Sequence, residues 1–429
     1  MQVLLKNFRI VDEETDTKGA IIIQNENILE LMPDEPSPSG LDASIIIDGK
    51  DLSYSGELPV LMPAFIDLHA HFRDPGFPEK ETLESASMAA AAGGFGTAIC
   101  MANTNPVTDT IELAAGIKAR SGAIGLIDLY PVLSLTKGME GRELSEITLL
   151  SPGSRYRPLL LSEDGKDLAD DDLFLAAMEE ARRNGIPVSC HCDLGGDENN
   201  AVGRAIDLGK KAGCRIHIAH VSTAEAVAAI RQAKAEIATA SGGANATGGF
   251  SLTCEVTPHH LCLTDSDAAK LGEKTWGALN PPLRPEKDRL ALIGALTDGT
   301  GTIDAIATDH APHDKAGKEA GAPGFSGFET AFAALYTTLL TGTNSAIGIK
   351  RLSALMSANP ARLLGFGNSR GRLLSGSKAD LVIVDTGVSW TVDTDNFKSR
   401  GKNSPFKGQR LNGSVLMTIH NGRVVYAGH

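Results

Sequence analysis

Pro63-Ala64-Phe65-Ile66-Asp67-Leu68-His69-Ala70-His71-Phe72-Arg73-Asp74-Pro75-Gly76 begins as an apolar strand and ends in two imidazoles and a guanidinium. Residues i and i+2 of an extended strand share a face, so His69 and His71 converge above the strand's C-terminal end. Neutral imidazoles placed this way suit a borderline cation such as zinc. Pro75 and Gly76 then stop the strand and turn it into a loop. A His-x-His pair is also an ordinary surface feature, so its meaning depends on what the rest of the chain brings beside it.

Outward from this stretch, over 62–366, short apolar strands alternate with helix-patterned segments. Stretches 60–69, 96–101, 127–132, 156–161, 187–192, 215–220, 252–257 and 303–308 read as eight buried strands. Helical apolar spacing recurs at 80–92, 171–184, 224–235 and 287–297. Eight such βα units predict a TIM-type (β/α)8 barrel. Short strands are predicted at 1–5, 8–11, 20–24, 28–32 and 44–48, and again at 379–385 and 415–420, where Asn421-Gly422 marks a hairpin to 423–426. Neither set has enough strands to bury a face alone. The expectation is a small β-sandwich domain formed by both termini, 1–61 with 367–429, around a barrel over 62–366. Stretch 238–249, Ala-Thr-Ala-Ser-Gly-Gly-Ala-Asn-Ala-Thr-Gly-Gly, lacks periodicity and bulk and reads as a surface loop. No Gly-Lys-Ser/Thr follows it, which argues against a phosphate cradle.

A chain of 429 residues, 42% hydrophobic and 22% charged, is ordinary for a globular protein with a large core. A net charge of -13 with no basic run excludes nucleic acid and an anionic membrane as general partners, and means that an anionic substrate needs a local positive site. The first residues lack a signal-peptide apolar core and no apolar run approaches a membrane span, so the cytoplasm is the expected location. Six cysteines in apolar contexts, with no Cys-x-x-Cys, read as reduced thiols. Cys190 and Cys192 flank His191 and face away from it on a strand, toward core packing.

Polar residues collect where the proposed strands end, as catalytic barrels require. Ser162-Glu163-Asp164-Gly165 puts carboxylates at the fourth strand's mouth, one of which could bridge two cations; His191, His220 and Asp309 follow at the fifth, sixth and eighth. Taken singly, each has a plain reading: a helix cap for Asp309, a satisfied core histidine for His220, a solvated neighbour for Glu163.

Together with Met101-Ala102-Asn103-Thr104, His220-Val221-Ser222-Thr223, Val256-Thr257-Pro258-His259-His260-Leu261, Asn280-Pro281-Pro282-Leu283-Arg284 and Ala307-Thr308-Asp309-His310-Ala311-Pro312-His313, these stretches resemble the amidohydrolase superfamily. Within it they resemble the long, bacterial-type dihydroorotases, over nearly the whole chain. The resemblance implies two zinc ions, one held by His69, His71 and Asp309 and the other by His191 and His220, with Asp164 bridging. Many relatives bridge with a carboxylated lysine; here Lys166 lies beyond the strand-end glycine and is the lesser alternative. Two departures are mild: Phe72-Arg73-Asp74-Pro75-Gly76 stands for Leu-Arg-Glu-Pro-Gly, and Glu163-Asp164-Gly165 for Asp-Asp-Gly. The implied reaction is the reversible cyclisation of N-carbamoyl-L-aspartate to dihydroorotate in pyrimidine synthesis. Arg73 and Asn103 would hold the substrate carboxylate, Asn280 and His313 the pyrimidine edge, and Asp309 would carry the proton. Stretch 317–327, rich in glycine, is expected either to cover the site or to lie static. Rival implications are another cyclic amidohydrolase (hydantoinase, dihydropyrimidinase or allantoinase) and a non-catalytic scaffold for aspartate transcarbamoylase. A homodimer and a complex with that transcarbamoylase are the possible assemblies.

Overall fold

The computed structural model describes residues 2–36, 43–239, 249–341 and 345–428. Five strands come first: β1 (Gln2–Val11), β2 (Asp16–Gln24), β3 (Asn27–Pro33), β4 (Ile45–Asp48) and β5 (Val60–Pro63). Eight follow: β6 (Phe65–Ala70), β7 (Phe95–Cys100), β8 (Asp128–Pro131), β9 (Leu161–Ser162), β10 (Val188–Cys190), β11 (Arg215–Ile218), β12 (Ser251–Val256) and β13 (Ala305–Ile306). The last three are β14 (Leu381–Thr391), β15 (Arg410–His420) and β16 (Arg423–Ala427).

Strands β6 to β8 and β9 to β13 form two parallel ladders. Parallel bridges Leu133–Leu161 and Ala70–His310 join them at both seams, so eight strands close in chain order into the expected barrel. At the second seam the buried Asp67 carboxylate accepts the Thr308 N–H at 2.9 Å and the Thr308 hydroxyl. Strand β9 is shorter than the 156–161 reading; Pro158, which has no N–H to give a ladder, lies within that stretch. Helices Asp171–Asn184 and Glu286–Thr297 fall where helical spacing placed them, and Ala224–Thr239 extends its predicted stretch. The 80–92 helix starts only at Leu83, because Thr82 and Ser85 cap it reciprocally. The stretch 238–249 runs beyond that third helix into residues 240–248, which lie outside the described residues.

Both termini fold into one eight-stranded sheet in the order β16-β15-β14-β5-β1-β2-β3, with β4 on β1. Two details differ from the sequence reading. The strands at 1–5 and 8–11 are one strand, in which Asn7 (φ 60°) makes a bulge and pairing with β2 continues on either side. The 60–69 strand is divided: β5 pairs with β1 and β14, whereas β6 belongs to the barrel. The change comes after Pro63, where the Ala64 N–H bonds Asp380 O and the Phe65 N–H bonds Gly94 O, each at 2.9 Å. Consecutive amides thus feed two different sheets.

Among the described residues all six cysteines are free thiols, five of them buried, and Cys190 and Cys192 join the main apolar core as expected. No described helix is long and apolar enough to cross a membrane.

Candidate metal centre and substrate cleft

The barrel fold carries every sequence-selected side chain to one end. His69 is the penultimate residue of β6 and His71 follows the strand directly; Asp164, His191, His220 and Asp309 lie one to three residues beyond β9, β10, β11 and β13. His220 and Asp309 have left-handed backbones (φ 34° and 47°), as does Arg73 (φ 57°). Non-glycine residues rarely sit there, so the surrounding bonds hold these turns at some cost.

The geometry brings these groups into contact. His69 Nε2 stands 3.1 Å from Asp164 Oδ1 and 3.6 Å from Asp309 Oδ1. His71 Nε2 stands 3.1 Å from Asp309 Oδ1 and 3.6 Å from Asp164 Oδ2. His220 Nε2 is 3.8 Å from Asp164 Oδ1, and the His191 ring lies edge-on to that of His220 at 4.7 Å. Two sets have ligand atoms close enough for one ion each: His69, His71 and Asp309, and His69, Asp164 and His220. His191 is outside both sets but lines the same cleft. The second set differs from the implied His191–His220 pairing by including His69.

All six groups are buried. Burial raises both carboxyls, yet the neighbouring imidazoles, His69 foremost, hold Asp164 and Asp309 well below the usual carboxylate range. Conversely, Asp164 and Asp309 hold the His69 imidazole well above its ordinary value against the opposing effect of burial. Burial, helped by His220, pulls His191 down to about 4, so it is neutral at pH 7. The centre therefore favours positive charge between its carboxylates while keeping His191 at hand as a neutral nitrogen donor. His69 Nε2 and His191 Nδ1 are buried without a hydrogen-bond partner. Orphaned nitrogens, two carboxylates and no thiolate fit a borderline divalent ion. Lys166 does not compete for Asp164's place: its Nζ donates to Met139 O at 2.8 Å.

A cleft of about 260 Å³ opens onto these groups, and Arg73, Asn103, Asn280 and His313 line it. Asn103 Oδ1 meets His71 Nδ1 at 2.9 Å, which fixes that ring, and the amide nitrogen donates to Asp164 Oδ2 at 3.4 Å with its second N–H left for another partner. Arg73 Nε is buried and unpaired; burial pulls the guanidinium down to about 10, still cationic at neutral pH. His313, pulled down to about 3 by burial and then by Arg73, is neutral, with its Nε2 2.9 Å from Pro323 O. Stretch 317–327 walls the cleft through Pro323 and Gly324, and the wholly buried Lys318 bonds Ala278 O, Ala322 O and Gly324 O at 2.8–3.0 Å.

Three supporting residues escape the motif-based reading. Glu163 is not a solvated neighbour: it is 5% exposed and accepts the N–H groups of Leu135 and Thr136, tying the loop after β8 beneath Asp164. Its carboxylate also accepts the Thr136 hydroxyl, and such donors are what draw an acidic side chain inward. Glu198, at the start of helix Glu198–Ala212, accepts the Ser222 N–H at 2.8 Å and the Thr223 N–H at 3.2 Å, and meets Arg284 at 3.2 Å. Glu255 on β12 lies behind His69 with Nδ1 to Oε1 at 3.2 Å. A lone charged residue in the buried half of a strand was the available signal for it.

Comparison with known proteins agrees with this geometry. The Amidohydrolase family matches residues 60–425. A protein named dihydroorotase from Clostridium botulinum is 37% identical over 99% of this chain and 100% of its own length. Another of that name, from Anaeromyxobacter dehalogenans, is 40% identical over 85% of this chain and 86% of its own. Among solved structures, the L-hydantoinase (dihydropyrimidinase) of Arthrobacter aurescens superposes with a TM-score of 0.83 at 25% identity, covering 99% of this chain and 96% of that one. The dihydropyrimidinase of Brevibacillus agri gives 0.81 at 20% identity, covering 100% and 95%, and shows the shared fold.

Proposed function

The chain belongs to the amidohydrolase family, and on that footing we propose that it is a dihydroorotase, interconverting N-carbamoyl-L-aspartate and (S)-dihydroorotate. The observation that carries the reading is the part-buried Arg73 guanidinium, with Nε unpaired, beside the imidazole–carboxylate cluster. Its planar fork suits a carboxylate, and dihydroorotate carries one next to its cyclic amide.

His69, His71, Asp164, His191, His220 and Asp309 would hold two zinc ions. When bound, such ions polarise the amide carbonyl and make water acidic enough to attack near neutral pH. Arg73 and the second Asn103 amide N–H hold the substrate carboxylate, while Asn280 and His313 meet the pyrimidine edge. In ring opening Asp309 takes a proton from the attacking water as its oxygen bonds the carbonyl carbon. Asp309 then gives that proton to the ring nitrogen as the carbon–nitrogen bond breaks. In ring closure it takes the proton from the carbamoyl nitrogen and returns it to the departing water. The small substrate, a cytoplasmic setting and assembly as a homodimer or with aspartate transcarbamoylase belong to the same proposal, as does the division into a barrel over 62–366 and a β domain from 1–61 and 367–429.

The test is a two-direction assay across pH, with hydantoin and allantoin as controls. Cyclisation should dominate at acid pH and ring opening at alkaline pH, since opening releases a proton at neutral pH. Turnover of hydantoin or allantoin without dihydroorotate would assign a different cyclic amidohydrolase. No turnover by metal-loaded protein would favour a scaffold.

A further inference from the structure

We infer that Glu255 and His217, deep in the barrel, are positioning residues that strengthen His69 as a metal ligand and make the two metal sites unequal. The inference rests on the metal-binding reading above and on a buried group that the reaction does not use. Glu255 is 0% exposed, and His217 and His69 are each 1% exposed. Among the described residues no lysine or arginine pairs with this carboxylate; its charge contacts are two imidazoles. His69 Nδ1 lies 3.2 Å from Oε1, and His217 Nε2 lies 3.1 Å from Oε2, off the line of a hydrogen bond. His217 is itself anchored, Nδ1 to Thr253 Oγ1 at 2.9 Å.

A bare carboxylate in a barrel core is destabilising, so its contacts must offset a large desolvation cost. The bond to Glu255 holds the proton on His69 Nδ1 and aims Nε2 at Asp164 and Asp309, where a bound cation would take the place of the Nε2 proton. A carboxylate behind an imidazole also raises that ring's basicity as a ligand. The other three imidazoles lack this backing: His71 Nδ1 meets the neutral amide of Asn103, and His191 Nδ1 has no partner. Among the described residues, no carboxylate contact with a His220 nitrogen is found beyond Asp164 itself. Donor strength is therefore concentrated at His69; with His69 assigned to the set it forms with His71 and Asp309, the ion held there should be the tighter one.

Metal-free protein is titrated with Co2+ against a chelating indicator, comparing the unmodified chain, Glu255→Gln and His217→Gln, with the Co2+ visible absorption recorded in parallel. The unmodified chain should bind Co2+ in two unequal phases. Glu255→Gln should weaken the tighter phase about 10- to 100-fold and alter its absorption while sparing the weaker phase. His217→Gln should cause a smaller loss in that same phase. If Glu255→Gln binds Co2+ as tightly as the unmodified chain, the inference falls; if that variant does not fold, unchanged affinity in His217→Gln has the same force. An unmodified chain that binds no Co2+ overturns the metal reading itself, an outcome distinct from binding that the substitutions leave untouched.

Discussion

Asp309 is the residue on which most of the proposed chemistry converges, since it touches His71 and His69 and also faces the substrate cleft. Burial raises its carboxyl, but the neighbouring imidazoles outweigh that and hold it ionised, the form able to accept a proton. Asp309→Asn preserves shape and removes the basic oxygen. We expect turnover to fall by a factor of hundreds or more while the substrate's KM changes little; near-normal turnover in metal-replete protein would refute the role. Arg73 and His313 show how burial divides labour between neighbours. The guanidinium stays charged, whereas the imidazole next to it is kept neutral. An anionic substrate thus meets one fixed positive charge in a chain whose net charge is -13.

At the scale of elements, the strands deliver the ligands and buried carboxylates hold the loops that bear them. Glu163 ties the loop after β8, Glu198 the turn after His220, and Asp67 the seam beside Asp309. Burial raises Asp67 to about 7, although Thr308 donates to it, so this seam is protonated under mildly acid conditions. Glu198 offers the cleanest test. Glu198→Ala strips the Ser222 and Thr223 N–H groups of their acceptor and leaves Arg284 only its bond to Ser222 Oγ at 3.0 Å. Unfolding in urea should show a loss of about 2–3 kcal/mol, and a loss below about 0.5 kcal/mol would mean that solvent replaces those bonds. By the same reasoning Ser222, Thr223 and Arg284 work together: through Glu198 they brace the turn that carries His220.

Across the whole molecule, the segment between β14 and β15 reaches back over the barrel and helps shape the cleft. Asn403, 2% exposed, accepts the His313 N–H at 3.0 Å and donates to Ala311 O and Gly324 O at 3.1 and 3.0 Å. Nearby, Glu329 accepts the Lys398 N–H at 2.7 Å and the Ser399 N–H at 3.2 Å. Burial raises Glu329 to about 7 in spite of those bonds. Its folded value lies above the unfolded one, so the folded chain holds a proton that the unfolded chain releases, and stability falls as pH rises from about 4.5 to about 7. Glu329→Gln removes that loss. Relative to the unmodified chain, the variant should gain on the order of 1–2 kcal/mol between pH 5 and pH 8 in urea unfolding. Parallel pH profiles for the two proteins would contradict it.

The eight-strand rhythm, the pairing of the termini and all six candidate ligands are legible in the sequence, because each leaves a local trace. Apolar runs bounded by glycine and proline mark strands, and a histidine or aspartate just past such a run marks a strand mouth. Tertiary structure alone decides where β5 yields to β6, since that depends on which sheet receives the next amide. It alone shows that Glu163 is an anchor, because a carboxylate's burial is set by donors 27 and 28 residues away. Likewise, His69 meets Glu255 only across the barrel interior, 186 residues apart in the chain. Sequence determined which groups could bind a metal; the closed barrel determined how they face one another, because their distances are set by its closure, which brings His69 and His71 on one side of a seam against Asp309 on the other.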